Sequence, residues 1–129
     1  ELFQQHIEAQ CKRLRILGFT GTPIIRGNLN AMDKSLLPSL QTVCTEILNN
    51  IAKHGKPGAF AFILSVGPDA VRIFASNLYN AAINSAPENH YGTALIQDFA
   101  QQHNGTMTIN SENEEWSLSL AIPLTHQTH

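Results

Sequence analysis

The sequence contains no dense run of lysine or arginine. Its eight basic residues stand against ten acidic ones, giving a net charge of −2 at pH 7. Nucleic acid is therefore not an expected partner, nor is an anionic membrane surface. No apolar stretch approaches the roughly 20 residues that cross a bilayer, and no signal-peptide pattern opens the chain. Cysteine is scarce. Cys11 and Cys44 both fall in helical, apolar patterns, which argues against a disulfide scaffold and fits a reducing cytosol. The histidines lack metal-ligand spacing, and neither GxGxxG nor GxxxxGK[ST] occurs. Internal repeats, linkers and low-complexity runs are absent as well. Methionine is missing from the start, where Glu1 opens into what already reads as helix, so a fragment of a longer protein is expected.

What is present is enough for one folded domain. The chain has 129 residues, 43% of them hydrophobic and 14% charged, which is the balance of a globular protein with a true core. The most informative stretch is SLLPSLQTVCTEILNNIAKHG, residues 35–55. Leu36, Leu40, Cys44, Ile47, Leu48 and Ile51 recur at helical spacing and predict a buried face. Ser35 is placed to cap the helix, Pro38 falls in its first turn, and Gly55 marks its end. Glu46, Asn50 and Lys53, with His54 beside them, form a second stripe about 100° round the wheel. A carboxylate and a carboxamide thus sit one turn apart along the border of a core-facing stripe.

Around this helix the pattern predicts a leading helix over 2–17, a weak strand over 23–29 and polar turn residues over 30–34. Gly55-Lys56-Pro57-Gly58 reads as a turn, followed by strands over 59–66 and 70–76 joined as a hairpin. The first of these strands, apolar on both faces, is expected inside a sheet. Residues 77–90 carry neither period and read as a loop. A helix follows over 91–105, with Leu95 and Phe99 inward, Ile96 as a further candidate for that face, and Asn104-Gly105 as its stop. Strands over 106–110 and 115–124 close the chain as a second hairpin. Antiparallel pairs interspersed with helices, without Rossmann-type βαβ alternation, predict an α+β two-layer sandwich with helices on one face of a mixed, mostly antiparallel sheet.

EILNNIAKH (46–54) resembles the first nucleotide-binding box, ExxxNxxKH, of sensor histidine kinase ATP-binding domains, especially those of the nitrate-sensor and lipid-sensor type. HYGTALIQDFAQQHNGTMTI (90–109) resembles their later glycine box with its helix and following strand. The likeness spans roughly residues 20 to 124 and implies a Bergerat-type fold, with the helix at 2–17 leading in from a phosphoacceptor domain and a flexible tail at 125–129. It also implies ATP and Mg²⁺ as ligands and transfer of the γ-phosphoryl to a histidine outside this segment. By the same likeness Glu46 is the catalytic carboxylate and Asn50 the Mg²⁺ ligand. Lys53, His54, Asn77, Tyr91, Gly92, Thr93 and Leu95 then join Asn50 in holding the nucleotide.

Implied partners are an upstream phosphoacceptor domain and a response regulator, in a homodimeric full-length protein. The domain would be cytoplasmic, with a full-length form at the inner face of the membrane within the range the resemblance allows. The family's adenine-reading Asp and the Gly after it are not found. The segment is FASNLYN (74–80), with Asn77 or Ser76 at about the Asp position, and Ala94 replaces a second glycine of the later box. A neutral acceptor predicts weaker ATP binding than an Asp would give, with Asn77→Asp expected to tighten it. Two other readings share these residues: a module of the same fold that has lost firm nucleotide binding and acts through protein contacts, and an anti-sigma-type serine kinase.

Overall fold

In a computed structural model of the chain, residues 2–79 and 93–124 are described. Three helices lie on one face of a five-stranded sheet ordered β1-β2-β3-β5-β4. The order along the chain is α1 (Leu2–Ile16), β1 (Pro23–Gly27), α2 (Leu36–His54), β2 (Gly55–Val66), β3 (Ala70–Tyr79), α3 (Thr93–Gln102), β4 (Thr106–Glu112) and β5 (Glu115–Pro123). All neighbours are antiparallel except β1 and β2, which run parallel through the α2 crossover. The expected mixed α+β sandwich is therefore what forms, with one βαβ unit that the weak signal of β1 concealed.

The core lies between the layers. Phe3, Ile7, Cys11 and Leu14 of α1 pack with Leu40, Cys44, Ile47 and Ile51 of α2 over the inward residues Phe62, Leu64, Ile73, Leu118 and Ile122 of the sheet. Burial pushes the Cys11 thiol up to about 11 and the Cys44 thiol higher still, so both stay protonated and serve as small apolar groups. His6 Nε2 and Thr45 Oγ1 lie 2.7 Å apart and tie α1 to α2.

Several boundaries differ from the sequence pattern for identifiable reasons. Ser35 makes no side-chain cap; instead Asp33 Oδ1 accepts from the Ser35 N–H at 3.1 Å, and the Asp33 carbonyl accepts from Leu36. The supposed turn Gly55–Gly58 is the start of β2, extended directly off the helix and joined to the regular ladder by a register shift between Gly55 and Phe60. β3 continues through Tyr79 because β5 supplies partners, with Asn77 opposite Trp116 and Leu78 opposite Glu115. On α3 the inward set is Ile96, Phe99 and Ala100, and Leu95 is 41% exposed, contrary to the expected inward Leu95. Ile96, Phe99 and Ala100 keep the i, i+3, i+4 spacing that one helix face requires, and Leu95 falls outside it.

The helix stop at Asn104-Gly105 has a definite geometry. Asn104 takes φ 59°, and the Gly105 N–H donates to the Ala100 carbonyl at 2.7 Å, closing the helix as a Schellman motif with Asn at the left-handed position. The β4–β5 turn uses Asn113 and Glu114 at φ 53° and 63°, the two-residue geometry that matches sheet twist. No helix among the described residues is long and apolar enough to cross a membrane.

Candidate functional site

The C-terminal half of α2 has a carboxamide where its apolar face would otherwise continue. Asn50 is 8% exposed, and its Oδ1 and Nδ2 have no hydrogen-bond partner among the described residues. A polar side chain taken out of water without a partner costs about 1–3 kcal/mol. Glu46, one turn earlier, is half-buried, and Lys53 is exposed at the rim. His54 is half-buried at the end of the helix, where it and Lys53 also suit the negative end of the dipole.

The sheet contributes the second buried polar group. On β3 the residues Val71, Ile73, Ala75 and Asn77 all face the helices, whereas Ser76 lies on the opposite face. Of the two candidates for the position of the missing Asp, Asn77 is thus the one aimed between the layers, at 4% exposure. Its Nδ2 donates to the Leu78 carbonyl at 2.7 Å, which leaves Oδ1 as the acceptor. A Cβ on Gly55 would meet this same Nδ2 and the Ile51 carbonyl oxygen, so Asn77 packs directly on the end of α2. Gly55 lies five residues beyond Asn50, which along a helix is about 7.5 Å. Asn50 and Asn77 are the two buried polar side chains among the described residues, and both sit at this one end of the sandwich.

Gly55 lies against Asn77, and the pattern revealed it only as a helix stop and the start of a turn. Its φ of −80° is open to any residue, so its value lies in the close approach of the Asn77 amide. No sequence signal distinguishes these two uses of a glycine. Thr93 begins α3, and the first N–H groups of a helix, which have no intrahelical partner, can face an anion. Leu95 is exposed on that helix. Tyr91 and Gly92 lie outside the described residues. No group of three or more His, Cys, Asp or Glu that would hold a metal occurs among the described residues.

No family model matches the chain, and no curated protein matches it by sequence. Similarity appears in three dimensions. The catalytic domain of histidine kinase ThkA, in a nucleotide-free form, superposes with a TM-score of 0.70 at 12% identity, covering 97% of this chain and 93% of that one. Acinetobacter baumannii histidine kinase AdeS gives 0.72 at 11% identity over 95% of this chain and 63% of its own. The blue-light activated histidine kinase EL346 of Erythrobacter litoralis gives 0.64 at 10% identity over 90% of this chain and 40% of its own. The chain therefore has the fold of the catalytic domain of histidine kinases.

Proposed function

We propose that this chain is the ATP-binding catalytic domain of a two-component sensor histidine kinase, moving the γ-phosphoryl of ATP to a histidine elsewhere in the same protein. The observation that carries this reading is Asn50, a buried carboxamide with no partner among the described residues, at the position of the first nucleotide box. Its Oδ1 fits a hard cation, which prefers neutral and anionic oxygens. Asn50 would hold Mg²⁺, and the charge that Mg²⁺ supplies offsets that of the triphosphate. Glu46, one turn away, orients or deprotonates the attacking imidazole. Lys53, exposed at the end of α2, and His54 beside it would pair with phosphate oxygens. On this reading the start of α3 at Thr93 would offer backbone N–H groups to the phosphates, with Leu95 beside them. Partners on this reading are the phosphoacceptor domain and a response regulator at the cytoplasmic side of the cell, in a homodimeric parent protein.

The test is a thermal-shift titration with Mg-ATP, Mg-ADP and ATP in excess chelator. Ligand at about 100 times its dissociation constant stabilises by about 2.7 kcal/mol. Stabilisation that needs Mg²⁺ supports the reading; none at millimolar nucleotide overturns it. Glu46→Gln should keep that stabilisation and lower phosphoryl transfer in the parent protein, since the shape is kept and the charge removed. Equal loss of both marks Glu46 as structural.

Asn77 favours a second reading, a module of this fold with impaired nucleotide binding, because its amide is neutral and already engaged with Leu78. The same geometry revises the expectation for Asn77→Asp. A carboxylate has no hydrogen to give the Leu78 carbonyl, and burial disfavours its charge. The variant is expected to lose about 1–3 kcal/mol of stability and to gain nothing in ATP affinity. Urea unfolding together with calorimetric titration checks both. Tightened binding at unchanged stability means that the amide is not held by Leu78.

A further inference from the structure

The helices cover one face of the sheet. On the other, the registers set four cross-strand rows, and the rows differ in kind. Arg26, Ser65, Arg72, Ala121 and Thr106 form the first. Ile24, Ile63, Phe74, Ser119 and Thr108 form the second, in which Ile24 and Phe74 are 41% and 39% exposed. The third is small and polar, with Ala61, Ser76, Ser117 and Asn110. The fourth holds Leu78, Glu115 and Glu112.

One end of this face is therefore basic and the other acidic, about 20 Å apart at two-residue steps of about 6.6 Å. Arg26, Arg72, Glu112 and Glu115 are all exposed, and none is in an ion pair among the described residues. Asp69, in the turn beyond the first row, pairs with neither arginine.

We propose that this face binds a second copy of the chain, sheet against sheet, about a two-fold axis running across the strands. That operation reverses the strand direction and keeps the strand order. It lays the first row on the fourth and the second on the third. Arg72 then lies over Leu78 of the other copy, with that copy's Glu115 one strand spacing of about 4.8 Å to the side and within reach of the long arginine side chain, twice per dimer. The large side chains Ile63 and Phe74 lie over the small ones Ala61 and Ser76. The concavity of about 400 Å³ bordered by Arg72, Phe74, Thr106 and Ser119 receives the Leu78 end of the other copy. The axis along the strands is disfavoured, because it sets arginine on arginine and large on large. A self-complementary patch of this kind is what a closed two-fold contact requires. The face is roughly 20 by 20 Å, about 400 Å² on each copy, which is below the area of a standard stable interface, so the dimer is a weak one. This face is separate from the Asn50–Asn77 region and needs no nucleotide.

Sedimentation velocity of the 129-residue chain from micromolar to millimolar concentration tests it. The wild type should show a concentration-dependent dimer that weakens with salt. Arg72→Glu alone and Glu115→Arg alone each place like charges in both contacts and should weaken dimerisation at least about tenfold. An equimolar mixture of the two variants restores opposite charges in both contacts and should recover the dimer. Circular dichroism verifies that each variant is folded, as expected for exposed positions. A wild type that stays monomeric overturns the proposal. So does a dimer indifferent to both reversals, or a mixture that stays as weak as its components.

Discussion

Gly55→Ala should lower the melting temperature by about 10 °C, with a loss near 3 kcal/mol. The new methyl would fall on the Asn77 Nδ2 and on the Ile51 carbonyl oxygen, and 3.0 Å from Phe19 Cε2. Two of these are held in place by the helix backbone and by a buried aromatic ring. The third is fixed by its bond to Leu78. The backbone at Gly55 is ordinary, so the penalty is one of crowding. Gly67→Ala is the control, because its methyl would meet only the Ala70 carbonyl at 3.5 Å. A double-mutant cycle with Asn77→Ala locates the effect. If the amide is the obstacle, the double variant loses less than the sum of the two single losses. Thermal unfolding of the four proteins gives the answer, and strict additivity means that Gly55 and Asn77 do not press on one another.

Asn50→Leu should do the opposite to stability and more harm to binding. The leucine has the same branched heavy-atom skeleton and no polar atoms, so the cost of burying an unpartnered carboxamide disappears. A gain of about 1–3 kcal/mol follows. Any nucleotide stabilisation that depends on Mg²⁺ should vanish in the same variant, while weaker stabilisation by metal-free nucleotide remains. Asn50→Ala makes the same change in binding with a smaller stability gain, since it also leaves a void. Together the pair separates a functional group retained at a cost from one that merely packs. A leucine variant less stable than wild type would show that Asn50 has a structural partner.

The part of this site carried by periodicity was legible in the sequence. Glu46 and Asn50 fall one turn apart on a polar stripe that borders the core-facing one, and one helix is enough to see that. Asn77 was harder to read. Its facing depends on the number of residues in β3 before it, and NLYN has too little alternation to show that the strand continues. The pairing with Trp116 and Glu115 decides the matter, and such pairing is a property of two distant segments together. The same holds for β1, which became a parallel partner of β2 only once α2 had crossed over the sheet. Gly55-Lys56-Pro57-Gly58 read as a turn because glycine and proline are the residues of turns. Tertiary context overrode that preference and drew the segment out as the first residues of β2. On α3, the choice between Leu95 and Ile96 needed the phase of a short helix, and one residue of error turns it by 100°.

The strand order β1-β2-β3-β5-β4 has a consequence for the growing polypeptide. β3 lies in the middle of the sheet, yet one of its edges is closed only by β5, the last strand to be made. Until that strand leaves the ribosome, Asn77 belongs to an exposed edge and the floor beneath the end of α2 is incomplete. α2, β2 and β3 can assemble early around their local contacts. The Asn50–Asn77 region, by contrast, waits for the C-terminal hairpin, and a chain stalled before Trp116 would carry all of α2 without the strand that completes the floor beneath it.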